Sequence, residues 1–108
     1  ITGFGLLGHA REMALASGVT LEFDANAIPL LPGALDYARA GAQPGGLKNN
    51  RDFVACDVDR DALADDALYA LLCDPQTSGG LLASVENANG LPVVGRVVER
   101  RAKAIVLT

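Results

Sequence analysis

Gly3-Phe4-Gly5-Leu6-Leu7-Gly8 fits the pattern G-x-G-x-x-G and leads straight into apolar residues at helical spacing. Glycines at these places let a backbone approach a pyrophosphate held at a helix N-terminus. Glu22 and Asp24 follow about 20 residues on, where a dinucleotide-binding unit places its ribose-binding carboxylate. No strand stands before Gly3, however, and no second βαβ unit follows. A tight turn in which glycines permit close packing accounts for the same residues, so both readings stay open at this point.

The second polar concentration is Asp74-Pro75-Gln76-Thr77-Ser78-Gly79-Gly80. A helix stop followed by a turn explains Pro75 and the glycines but not Gln76, Thr77 and Ser78 together. Hydroxyls, an amide and glycine N–H groups in one loop can bind a phosphate or a neighbouring subunit. Other groups lead to blander chemistry. Asp57, Asp59 and Asp61 alternate as in a calcium loop, but Ala62 and Leu68 stand where that loop needs Gly and Glu. A carboxylate-rich helix start is the better reading, with Asp65 and Asp66 on a solvated face. His9, the one histidine, reads as a hydrogen-bonded structural residue. Cys56 is expected in an apolar strand and Cys73 at a helix end. Both read as inert small hydrophobes, with some reactivity left open for Cys73 because it borders the polar loop. No nucleophile elbow, Walker pattern or Ser/His/Asp set is present.

The elements that must position these groups can be read from periodicity. Leu6, Leu7, Ala10, Met13 and Ala14 predict a helix from Gly5 to Ser17, stopped by Gly18. Val19 to Phe23 reads as a strand, and Asp24 to Leu31 as a connector. Pro32 is expected at the first position of a second helix, Pro32 to Ala40, closed by Gly41. Ala42 to Asp52 reads as a polar loop, and Phe53 to Cys56 as a strand. Asp59 or Asp61 is expected to cap a third helix with Leu63, Ala67, Leu68, Leu71 and Leu72 on its apolar face. Strands are predicted at Gly80 to Val85, Leu91 to Val98 and Ala104 to Leu107, with Glu86 to Gly90 as a turn. The mixture points to an α+β sandwich.

Composition narrows the function. The 108 residues fit one domain, half of them are apolar, and the formal charge is −4. That content supports a core and excludes disorder. Arg100, Arg101 and Lys103 are too few for a phosphate-tracking stripe, so nucleic acid is not an expected partner. No apolar run approaches the ~20 residues of a membrane span, and no secretory signal opens the chain. The expectation is a soluble protein of a reducing cytoplasm. Ile1 rather than Met stands before the glycine motif, so the chain is expected to be the interior of a longer protein.

Thr2-Gly3-Phe4-Gly5-Leu6-Leu7-Gly8-His9, followed at a distance by Asp74-Pro75-Gln76-Thr77-Ser78-Gly79-Gly80, resembles the selenophosphate synthetases, or selenide, water dikinases. Pro29-Leu30-Leu31-Pro32-Gly33-Ala34, Pro44-Gly45-Gly46 with Asn50, and Gly95-Arg96-Val97-Val98 resemble the same family's other segments in the same order. The family shares a two-domain superfamily with aminoimidazole ribonucleotide synthetase. The resemblance implies a truncated C-terminal domain, an α/β sandwich spanning residues 1–108. The parent enzyme would make selenophosphate from selenide and ATP with magnesium, releasing AMP and phosphate. Thr2, Gly3, Phe4, Gly5 and Asn50 would lie near the nucleotide. Asp74, Gln76, Thr77, Ser78, Gly79 and Gly80 match a motif with no assigned roles.

The departures are as informative. The family's reactive cysteine or selenocysteine, its lysine and its N-terminal aspartates have no counterpart, so neither a catalytic residue nor a metal ligand is assigned here. An aspartate the family carries just ahead of its glycine motif would precede Ile1. Leu47 stands where a threonine is usual. Between Val85 and Leu91 the family has a helix, and this chain has Glu86 to Gly90. A parallel crossover needs a dozen or more residues, so the flanking strands must form a hairpin or be displaced. The missing N-terminal domain is the expected partner, and the chain alone is expected to be inactive and to hold neither ATP nor magnesium tightly. Two alternatives stand beside this: a dinucleotide-binding module using Gly3, Gly5 and Gly8, and a non-catalytic domain that self-associates through exposed strand edges.

Overall fold

The computed structural model describes all of residues 1–108. Its elements are α1 (Gly5–Ser17), β1 (Val19–Phe23), α2 (Ala34–Arg39), α3 (Gly46–Val54), β2 (Val58–Asp59), α4 (Asp66–Leu72), β3 (Gly95–Glu99) and β4 (Ile105–Leu107), with a short 3₁₀ turn at Ala25–Ala27. The sheet order is β2-β4-β1-β3. β4 runs parallel to both β1 and β2, and β3 runs antiparallel to β1 with Leu21 opposite Val97. The fold is therefore α+β with a mixed sheet, as expected.

The sheet has one apolar and one polar face, because side chains alternate along each strand. Leu21 and Phe23 of β1 and Ile105 and Leu107 of β4 are buried in one core with Leu7, Ala10 and Ala14 of α1. α3 and α4 pack beside α1, and α2 against α4. On the opposite face Glu22 pairs with Arg96 at 2.6 Å and Arg101 at 2.9 Å. Thr20 is fully buried there, and its hydroxyl donates to the Lys103 carbonyl and accepts from the Arg101 N–H. This is a two-layer arrangement.

Local signals that agreed with tertiary packing set α1 and β1 at their expected bounds. Gly18 ends α1 in the left-handed conformation, φ 65°, its N–H bonded to the Ala14 and Leu15 carbonyls. Elsewhere packing overrode the local signal. Gly33, not Pro32, precedes α2, with φ 82°. The expected loop 42–52 is mostly α3, held by burial of Leu47 and Val54 and by the Lys48–Asp52 ion pair one turn apart. Phe53 and Val54 accordingly close a helix instead of opening a strand. Asp65, rather than Asp59 or Asp61, caps α4, accepting from the Ala67 and Leu68 N–H groups. Asp59 instead accepts from the Asp61 N–H in a turn.

The largest difference is between Asp74 and Val94, where no regular element forms. The expected strand 80–85 is absent, and the strand expected from Leu91 begins only at Gly95. Between the two possibilities for the short connection, displacement rather than a hairpin is what occurs. The consequence is a cavity of about 490 Å3 on the apolar side of the sheet, lined by Met13, Leu21, Phe23, Leu82, Val94 and Val97 among others. Leu81 beside it is 92% exposed.

Candidate functional site

The two polar motifs, some seventy positions apart in the chain, lie against each other. The Gln76 N–H donates to the Thr2 carbonyl and the Gly79 N–H to the Ile1 carbonyl, each at 3.0 Å. The Ile1 amino group donates to the Gly80 carbonyl at 2.7 Å. Gly5 makes the junction possible. Its φ is +70°, and a Cβ there would stand 2.8 Å from the carbonyl carbon and oxygen of Cys73. No other residue type tolerates both conditions without movement. Gly79 is a second close approach, since a Cβ there would meet the Ile1 carbonyl oxygen at 2.7 Å.

α1 and α3 complete the surroundings. Asn50, on α3, donates through Nδ2 to the Gly3 carbonyl at 2.8 Å and the Cys73 carbonyl at 2.9 Å. The Thr2 N–H donates to His9 Nε2 at 3.1 Å, and Thr2 Oγ1 lies 2.8 Å from the same nitrogen. His9 is thus the hydrogen-bonded structural residue expected of it. Phe4 is exposed and stacks on Phe53 at 6.0 Å between ring centroids, with the Arg11 guanidinium over the far ring at 4.5 Å. This aromatic neighbour of the glycine motif was hidden from sequence reading, because Phe53 was placed in a strand.

The surface that the joined motifs present to solvent is small and specific. Thr2, Gly3 and Phe4 are exposed, as are Thr77, Ser78, Gly79 and Gly80. A Cβ on Gly3 or Gly80 would meet nothing within 4 Å, so the backbone at both is open to approach. Asp74 is partly buried, and burial raises its carboxyl above the usual aspartate range. Its Oδ2 accepts from the Gln76 amide. The structure brings together Thr2, Gly3, Phe4, Gly5, Asn50 and Asp74 to Gly80, the residues that the family resemblance singled out.

Tests of the other candidates are less favourable. No three His, Cys, Asp or Glu side chains converge to hold a metal ion. Asp74 is the one carboxylate in the two motifs, so the residues present do not by themselves fit a magnesium site. Asp57 is bound to Arg11 Nε at 2.6 Å and Asp59 accepts from the Asp61 N–H, so neither carboxylate is turned to a calcium loop. Asp65 and Asp66 are not merely solvated. Asp65 pairs with Arg39, while Asp66 holds both Arg51 and Arg60. The carboxylates needed for ribose binding are occupied as well, Glu22 by two arginines and Asp24 by the Asn26 N–H. With a mixed sheet and both carboxylates already engaged, the dinucleotide reading loses its support.

The cysteines depart from expectation in one case. Cys56 is exposed in the turn after α3, not in a strand, whereas Cys73 is buried at the end of α4. Burial pushes the Cys73 thiol up to about 11, and burial together with Cys73 pushes the Tyr69 hydroxyl up to about 12. Cys73 is therefore no nucleophile at neutral pH. No helix is long and apolar enough to cross a membrane.

Comparison with known proteins adds an independent line. The family model described as AIR synthase related protein, C-terminal domain, matches residues 1–108. The chain is 44% identical over 119 aligned residues to a selenide, water dikinase of Caldanaerobacter subterraneus subsp. tengcongensis, covering 94% of this chain and 33% of that protein. It is 41% identical over 121 residues to selenide, water dikinase 2 of Peptoclostridium acidaminophilum, covering 99% and 35%. With a selenide, water dikinase of a Shewanella species it is 46% identical over 87 residues, covering 81% and 24%. The chain thus spans between 24% and 35% of the length of these curated relatives. The 121-position alignment is longer than the 108 residues of the chain, so the Peptoclostridium protein carries at least 13 residues with no counterpart here. The 87 positions shared with the Shewanella protein equal 81% of 108, so that stretch, which must contain residues 22–87, has no such insertion.

Proposed function

The chain belongs to the family of AIR synthase related C-terminal domains, and from that premise we propose that it is the C-terminal domain portion of a selenide, water dikinase. The parent reaction implied by the resemblance takes selenide, ATP and water to selenophosphate, AMP and phosphate. The observation that carries this reading is the joining of the glycine motif to the Asp74–Gly80 loop by three backbone hydrogen bonds and the two from Asn50. Joined, they offer exposed backbone at Gly3 and Gly80 and hydroxyls at Thr2, Thr77 and Ser78 on one side of the molecule. Such a set suits the oxygens of a polyphosphate. Phosphoryl transfer, however, rests on metal ions, cationic groups and a positioned nucleophile. None of these is assembled here, so the missing N-terminal domain supplies them in this reading.

Two assays test it. The purified chain alone gives no selenide-dependent ATP consumption, and AMP formation above a no-protein control would contradict the assignment. A chimera in which this chain replaces the corresponding third of the Caldanaerobacter relative forms AMP in a selenide-dependent way. A folded but inert chimera counts against the proposal.

A further inference from the structure

From a third element, Asn50 ties the glycine motif to Cys73, the residue directly before the Asp74–Gly80 loop. Its carboxamide has two N–H donors, and both are spent: one on the Gly3 carbonyl at 2.8 Å and one on the Cys73 carbonyl at 2.9 Å. The Gly3 carbonyl sits two residues before the left-handed Gly5, and the Cys73 carbonyl closes α4 directly before Asp74. α3 also braces the second motif at its other end, where a Cβ on Gly46 would lie 3.6 Å from the Pro75 ring.

We propose that Asn50 is a positioning residue whose carboxamide N–H groups set the register of the glycine motif against the Asp74–Gly80 loop and are not available as ligand donors. The reason is one of supply. The carbonyls of Ile1, Thr2, Gly3 and Cys73 at this junction each need a donor, and the Gly3 and Cys73 carbonyls, which share one carboxamide, cannot bind each other. The Gln76 and Gly79 N–H groups neutralise the first two, and Asn50 neutralises the remaining pair. With the donors of Asn50, Gln76 and Gly79 consumed in this way, the ligand-facing donors left in the loop are those of Thr77, Ser78 and Gly80. That last step rests on reading the two motifs as the functional site, whereas the clamp itself does not.

The test uses amide hydrogen exchange on the full 108-residue chain and three variants, Asn50→Asp, Asn50→Ala and Asn50→Gln. Asn50→Asp keeps the shape but turns two donors into acceptors facing two carbonyl oxygens. Exchange at the Gln76 and Gly79 N–H groups should accelerate about tenfold in Asn50→Ala, the scale of one or two lost hydrogen bonds, and at least as much in Asn50→Asp. The Leu21 and Ala25 N–H groups, bonded to Ala104 and Thr108, should keep their protection. Asn50→Asp behaving like the unmodified chain would show that shape alone matters and would overturn the clamp, as would a uniform loss reaching Leu21 and Ala25. If Asn50→Asp does not fold, Asn50→Gln decides. Recovery of part of the protection lost in Asn50→Ala supports the clamp, and no recovery overturns it. Because exchange is read without any nucleotide, inactivity of the parent chimera would sink the functional reading while leaving this result standing.

Discussion

At the scale of single residues, the site is governed by which polar atoms are still unspent. Asp74 illustrates the energetic side. Burial raises its carboxyl in the folded chain above its unfolded value, so ionising it opposes folding. The cost is present at pH above the raised value and disappears below the ordinary aspartate range. Asp74→Asn, which keeps an oxygen to accept from Gln76, should therefore raise the melting temperature at neutral pH. The gain should shrink to nothing as the solution is acidified towards pH 3 to 4, the range of an unperturbed aspartate. Thermal unfolding across pH reads this directly, and a variant less stable at neutral pH would show that the Asp74–Gln76 bond outweighs desolvation. The cysteines give a simpler prediction. Ellman's reagent should titrate one thiol, Cys56, in the native chain and both after denaturation, because Cys73 is buried with its thiol pushed up to about 11. The glycine and polar motifs were legible in the sequence, since Gly, Thr, Ser and Gln are there for chemistry or for close approach. The bond from Asn50 was not, because its two acceptors are backbone carbonyls that no side-chain pattern announces.

At the scale of elements, legibility followed the agreement between local and tertiary preference. α1 and β1 had periodic apolar residues and a glycine stop, and both appeared as expected. α3 follows Gly45 and carries Gly46, Asn49 and Asn50, which favour turns over helix. It is helical because Leu47 and Val54 are buried and because its polar residues find partners: Asn50 in the two motifs, and Arg51 in Asp66. α4 was legible as a helix but not in its start, since Asp57, Asp59, Asp61, Asp65 and Asp66 compete as caps in sequence. Only Asp65 has extended backbone with its side chain folded back onto two N–H groups. Those bonds and the Arg39 guanidinium hold the Asp65 carboxyl below the usual range. Stability from Asp65 is thus present above the unfolded aspartate value and fades as pH falls through the lower folded value. Asp65→Ala should lower the melting temperature at neutral pH, whereas Asp61→Ala should leave it nearly unchanged. Equal losses from the two would return the cap to the position first expected from sequence.

At the scale of the whole molecule, the decisive feature is a cover that is missing from one end of the apolar sheet face. α1, with α3 and α4 beside it, shields β1 and β4, but the cavity of about 490 Å3 beneath β3 is walled by the irregular chain between Leu81 and Val94. Loops longer than about 12–15 residues without regular structure are uncommon inside compact domains. Here the apolar sequence of Leu81 to Val85 and of Leu91 to Val94 is that of strands, which is why strands were expected. A strand needs a partner and a buried face, and five residues from Glu86 to Gly90 cannot carry a parallel crossover that would supply them. At least 13 residues that the Peptoclostridium relative possesses have no counterpart here, enough for such a connection. Replacing Glu86 to Gly90 with a helical connection of a dozen or more residues should therefore restore order that this chain lacks. The expected result is burial of Leu81, Leu91 and Val93, now 92%, 65% and 64% exposed, seen as lower binding of a hydrophobic dye. It should also slow proteolytic cutting between Leu81 and Val94, where backbone hydrogen bonds to the rest of the fold are now few. Unchanged dye binding and cutting would mean that the short connection is a settled form of the domain and that the cavity belongs to its native architecture.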